Sequence, residues 1–173
     1  MIFDFHTHTF LSDGENSPIE LIRIANAKGY SIIGITDHVG YSNIDYIIEA
    51  VKRDCRLAEK YWNIRAIAGV ELTNVPAKSI DEMAKYAKEN GAELVVVHGE
   101  SIVEQVESKT DYYAVNSDYV DILAHPGLIT PEEAKLAVSK GIFLELTSRT
   151  GHCLTNGYVV KIGREQNAKF LIN

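Results

Sequence analysis

Short apolar runs rich in β-branched residues recur about every 25 residues, separated by stretches whose apolar positions have helical spacing. Repeated strand–helix units of this kind imply parallel strands joined by right-handed crossovers, and hence an α/β fold. The expected strands cover residues 2–5, 31–36, 64–70, 93–97, 120–124, 142–146 and 169–172. Several are apolar at nearly every position, as strands covered on both faces must be. An open doubly wound sheet and a closed barrel both satisfy this pattern.

The stretches between the strands carry helix signals. Residues 18–28 open with Ser17 as a cap and Pro18 in the first turn, and Gly29 follows the end. Residues 44–62 place Ile44, Ile47, Ile48, Val51, Cys55 and Ala58 on one stripe. Residues 79–90 form a third helix, stopped by Gly91, and residues 101–116 read as two helical pieces broken near Ser108-Lys109-Thr110. Thr130 and Pro131 open a helix that Gly141 closes, and residues 156–167 form the last.

At 173 residues, with 46% hydrophobic and 24% charged, the chain is expected to be one domain, residues 1–173, with a core of its own. No apolar run approaches the length of a membrane helix. The formal charge of -7 argues against sequence-independent binding to nucleic acid, which depends on neutralising phosphates. The N-terminal residues carry no signal-peptide features, and Cys55 and Cys153 form no CxxC motif. The expected setting is therefore cytoplasmic, without a membrane partner, and no sequence feature specifies an oligomeric state.

In parallel α/β folds the chemistry gathers at the C-terminal ends of the strands. Here His6 and His8, with Asp13 shortly beyond, follow the first expected strand. Asp37 and His38 follow the second, Glu71 the third, His98 the fourth and His125 the fifth. Glu145 lies in the sixth, with Arg149 and His152 in the loop beyond. Five of the six histidines thus sit directly after an apolar run, and the sixth lies in a loop. Mixed imidazole and carboxylate donors are ligands of Zn, Mn and Fe. His6 and His8 are expected to reach one ion where the chain leaves the regular pleat near Thr7.

The segments Asp4-Phe5-His6-Thr7-His8-Thr9, Ile35-Thr36-Asp37-His38, Gly69-Val70-Glu71, Val97-His98-Gly99-Glu100 and Ile122-Leu123-Ala124-His125-Pro126-Gly127 together resemble the PHP (polymerase and histidinol phosphatase) domain family. The likeness is greatest to its small stand-alone phosphoesterases of the histidinol-phosphatase-related kind. It implies a distorted seven-stranded parallel βα barrel, TIM-like and of PHP type. It also implies a site for two or three divalent metal ions (Zn, Mn or Fe). Carried over motif by motif, His6 and His8 would bind the first ion, and Glu71 would bridge the first and second. His98 and His125 would complete the second, and His38 with Asp13 would bind a third. The family then places an Asp-x-His motif just after the seventh strand. This sequence ends at Leu171-Ile172-Asn173, so the expectation is a chain truncated at its C-terminus and lacking the last helix.

The implied activity is hydrolysis of a phosphate ester, foremost a phosphomonoester on a small phosphorylated substrate, by a hydroxide bridging two metals. Arg149 is the candidate for the substrate phosphate, because its planar fork suits phosphate oxygens. His152 would act as general acid or as a further phosphate contact, and Asp37 would orient a histidine or a water. Three alternatives stand beside this reading. One is a PHP nuclease acting on phosphodiesters, and another is a non-catalytic PHP scaffold. The third is an amidohydrolase, which also opens with His-x-His but needs a lysine or glutamate after its fourth strand and eight strands in all.

Overall fold

The computed structural model describes residues 1–173 and shows strands and helices alternating along the chain. Contact density divides them into two units, Met1–Glu71 with Tyr86–Val95, and Leu72–Lys85 with Val96–Asn173.

The first unit is built on β1 (Phe3–Thr7), β2 (Ile32–Ile35) and β4 (Arg65–Leu72, through Glu71). β1 pairs in parallel with β2, and β2 pairs in parallel with β4. A two-residue strand, β3 (His38–Val39), pairs with β4. The connecting helices are α1 (Pro18–Ala27) and α2 (Ile44–Tyr61). α1 starts where the sequence places it: Ser17 accepts the Glu20 amide and Pro18 fills the first turn. The expected stripe on α2 is the buried one, with Ile44, Ile47, Ile48, Val51, Cys55 and Ala58 inside.

The second unit is a parallel series in the order β5 (Leu94–His98, from Val96), β6 (Ile122–Ala124), β7 (Phe143–Leu146) and β8 (Phe170–Ile172). Its helices are α4 (Thr110–Asn116), α5 (Pro131–Lys140) and α6 (Asn156–Glu165). α3 (Ile80–Glu89) follows a 3₁₀ turn at Ala77–Ser79 and contributes residues to both units. Val96, Val97, Leu123, Ala124 and Leu144 are fully buried, as the apolar runs predict. α5 begins with a reciprocal cap, in which Thr130 accepts the Glu133 amide and the Glu133 carboxylate accepts the Thr130 amide. No helix is long and apolar enough to cross a membrane.

The structure corrects three local expectations. Residues 101–109 are not helical, and only Thr110–Asn116 is. Side chains there take up backbone groups that a helix would need. The Ser101 hydroxyl accepts the Val103 amide, and the Glu107 carbonyl accepts both the amide and the hydroxyl of Thr110. Second, His38 lies in β3 rather than in a loop. Third, His152 opens a 3₁₀ turn, His152–Thr155, rather than an irregular segment. Strand ends also shift: β4 runs on through Glu71, and His6 lies inside β1.

Both cysteines are free. Cys55 is buried on α2, and burial pushes its thiol up to about 12, whereas Cys153 is half-buried. A thiol reagent at mildly alkaline pH is therefore expected to modify Cys153 alone in the native protein, and both thiols in denaturant. Rapid native modification of both would show that α2 does not pack as described.

Candidate metal-binding clusters

In the first unit the site begins with an irregularity in β1. Asp4 pairs with Ile33 and Thr7 with Ile35, so three steps on β1 match two on β2. The His6 amide donates to Asp4 Oδ1 at 3.1 Å, and the Thr7 hydroxyl donates to the Gly34 carbonyl at 2.6 Å. The chains approach so closely that a Cβ on Gly34 would lie 2.7 Å from the Phe5 carbonyl oxygen. The departure from the pleat thus falls between Asp4 and Thr7. Residues two apart on a strand share a face, and His6 Nε2 and His8 Nε2 stand 3.0 Å apart.

The loop after β1 is tied down by Asp37. This buried carboxylate accepts the Thr9 amide at 2.7 Å, the Thr9 hydroxyl at 2.8 Å and the Ser12 hydroxyl at 2.6 Å. Asp37 therefore fixes the segment that carries His8 and Asp13. The loop folds back so tightly that a Cβ on Gly14 would lie 2.3 Å from the His8 carbonyl oxygen. Asp13 Oδ1 reaches His8 Nδ1 at 2.6 Å and stands 3.6 Å from His38 Nε2.

β4 brings Glu71 to the same point, and the Glu71 amide donates to the Asp37 carbonyl at 3.0 Å. Its buried Oε2 lies 3.3 Å from His6 Nε2, 3.1 Å from His8 Nε2 and 2.7 Å from His38 Nδ1. Burial by itself raises the Glu71 carboxyl. The charge of His6 and the bonds from His38, His6 and His8 outweigh it and hold the group well below the usual carboxylate range. These donors pass a simple test for a cation. A tetrahedral ion with ligand bonds near 2.05 Å has donor–donor edges of about 3.3 Å. The His6, His8 and Glu71 atoms stand 3.0 to 3.3 Å from one another. His8, Asp13 and His38 form a looser grouping, with ligand atoms within 4.8 Å of one another.

The second unit gathers the other three histidines. His98 is the last residue of β5, and His125 follows β6. His125 is held at φ 29°, a backbone conformation uncommon for residues other than glycine. Its amide donates to Glu145 Oε2 at 3.0 Å, and the other Glu145 oxygen accepts the Asn173 side-chain amide at 3.2 Å. Ring centroids are 4.4 Å apart for His98 and His125, and 4.5 Å apart for His125 and His152. The Glu104 carboxylate bridges two of these rings, with Oε2 2.8 Å from His98 Nε2 and Oε1 3.1 Å from His152 Nε2. Burial lowers the His152 imidazole from its ordinary value, against the pull of Glu104. Arg149 is exposed, and its charge acts on both Glu104 and His152.

Glu104 and Glu145 are where reading the sequence falls short. One reading of Glu145 has it facing outward, but it is buried and accepts the His125 amide. A carboxylate inside the apolar run Phe143–Leu146 is the signal for that burial. Glu104 gives no such signal, because it sits in a polar stretch without periodicity. Glu100, beside His98 in sequence, is a loop carboxylate: it accepts the Asp111 amide at 3.2 Å.

The chain matches the PHP domain family over residues 4–124. It is 55% identical over 174 residues to an uncharacterized protein of Methanocaldococcus jannaschii, an alignment covering 100% of this chain and 80% of that protein. It is 28% identical over 159 residues to the DNA polymerase/3'-5' exonuclease PolX of Bacillus subtilis, covering 87% of this chain and 28% of PolX. A 5'-3' exoribonuclease of Haemophilus influenzae is 34% identical over 71 residues, covering 41% of this chain and 23% of that enzyme. The chain therefore spans under a third of either nuclease. Among solved structures, a Listeria monocytogenes protein provisionally assigned as the histidinol phosphatase HisK superposes with a TM-score of 0.65 at 10% identity, covering 99% of this chain and 93% of the other. The fold is accordingly the one the sequence implies: α/β and TIM-like, with seven parallel strands and alternating helices.

Asp37→Ala leaves the buried Thr9 amide and hydroxyl, and the half-buried Ser12 hydroxyl, without their acceptor. It is expected to destabilise the protein by about 3 kcal/mol in urea unfolding and to speed hydrogen exchange at the Thr9 amide. Unchanged stability and exchange would show that residues 8–14 are held by something else.

Proposed function

The chain belongs to the PHP domain family, and from that membership and its donor geometry we propose that it is a metal-dependent phosphoesterase acting on small phosphomonoesters. The observation that carries this reading is the meeting of His6, His8 and His38 on one oxygen of buried Glu71. Nitrogen and oxygen donors in this mixture suit Zn, Mn or Fe, and two or three such ions are proposed. In the first unit His6, His8 and Glu71 would hold one, with Asp13 and His38 serving another. In the second unit His98 and His125 are the proposed ligands. Bound there, the ions would supply Lewis-acid stabilisation of the charge that develops on a phosphate during in-line displacement.

The protein's own groups prepare that chemistry. Glu71 is kept ionised despite its burial, so it offers a fixed anionic oxygen with no proton to lose first. Asp13 at His8 Nδ1 sets the tautomer that leaves Nε2 facing Glu71. Glu145 holds His125 by its backbone, which fixes where that ring can point. Arg149, exposed and close enough to bias Glu104 and His152, is the proposed contact for the substrate phosphate. A small substrate agrees with the charge of -7. It also agrees with the provisional assignment of the structural neighbour. The likeness to PolX over most of this chain favours a second reading, a nuclease acting on phosphodiesters.

The test is hydrolysis of a panel of phosphomonoesters and of a single-stranded oligonucleotide, by chelator-stripped protein and by protein reloaded with Mn²⁺, Zn²⁺ or Fe²⁺. Phosphomonoester turnover should require metal and fall by about 100-fold or more in Glu71→Gln. Faster cleavage of the oligonucleotide would select the nuclease. Absence of bound metal together with absence of either activity would overturn both readings.

A further inference from the structure

Residues 101–109 form an irregular strap between β5 and α4. Its ends are tied to each other: the Glu100 amide donates to Asp111 Oδ1 at 2.8 Å, and the Asp111 amide donates to Glu100 Oε1 at 3.2 Å. Further along, Glu107 Oε2 accepts the Ala77 amide at 3.1 Å. Anchored this way, the strap sets Glu104 against His98 and His152, one carboxylate oxygen on each.

The His152 ring is the telling part. The residue is 4% exposed, and its Nδ1 is buried without a hydrogen-bond partner. Buried ring nitrogens are seldom left so, because the loss of water goes uncompensated. The other nitrogen, Nε2, faces the Glu104 carboxylate at 3.1 Å. A carboxylate can only accept, so it selects the tautomer with the proton on Nε2 and leaves the lone pair on Nδ1. A histidine with one nitrogen on a carboxylate and a lone pair on the other is arranged as metal-bound histidines are. The His125 ring lies beside it, with centroids 4.5 Å apart.

We propose that His152 is a ligand, through Nδ1, of a divalent cation in the second unit, and that Glu104 is the positioning residue that sets its tautomer and ring orientation. The inference rests on reading the His98–His125 cluster as a metal site and adds two residues to it. It gives the strap a purpose: an exposed segment supplies the carboxylate that orients a buried donor.

The experiment is a titration of the full chain, stripped of metal, with Mn²⁺ or Zn²⁺ against a competing chelator. It compares the native protein, His152→Ala and Glu104→Gln, with circular dichroism melting as the check on folding. His152→Ala should lose one equivalent of metal or weaken one site by about 100-fold or more. Glu104→Gln should keep the native stoichiometry but weaken that site by about 10- to 100-fold. Should His152→Ala fail to fold, Glu104→Gln decides, since its side chain is 40% exposed and carries no core packing. Native stoichiometry and affinity in both folded variants would overturn this inference alone, even if His152→Ala lost activity. A native protein that binds no metal would overturn the proposed function as well.

Discussion

A carboxylate withdrawn completely from water has to be met by donors or cations, and the first unit is arranged around meeting the one on Glu71. Ionised and unpartnered, such a group would be costly enough to unfold a domain of this size. Three imidazoles from β1, the loop beyond it and β3 converge on a single oxygen of that carboxylate. The irregular pairing of β1 with β2, the Thr9 and Ser12 bonds to Asp37 and the close approaches at Gly14 and Gly34 surround that meeting point. The same convergence that satisfies Glu71 leaves donor atoms spaced as the ligands of a tetrahedral cation are.

The second unit meets a similar demand by other means. Its histidines sit close together, and carboxylates fix them from behind. Glu145 holds His125 by its amide while that residue adopts a left-handed backbone. Glu104 reaches two rings from a strap that is clamped at its base. Strain at one residue persists only where the surroundings over-determine it, and a buried carboxylate on the backbone amide is such a constraint.

Much of this was legible in the sequence. The α2 stripe and the cap of α5 could be read because helix burial and capping depend on residues three or four apart. His-x-His at a strand end could be read as one donor pair because residues two apart on a strand share a face, and the two rings do meet. The helix expected over residues 101–109 failed because serine, threonine and glutamate groups there bind backbone that a helix would have used. His38 was placed in a loop because a two-residue strand leaves no periodic signature.

The sequence by itself determined the alternation of strands and helices, the caps that bound them and the kinds of donor available, because each is written in neighbouring residues. Only the tertiary structure decided which nitrogen of each histidine faces a carboxylate, that Glu145 turns inward to the backbone of His125, and that Glu104 lies against His152. Those outcomes depend on the paths of loops and on partners far apart in the chain. Glu104 and His152 are 48 positions apart, a separation across which no local pattern carries information.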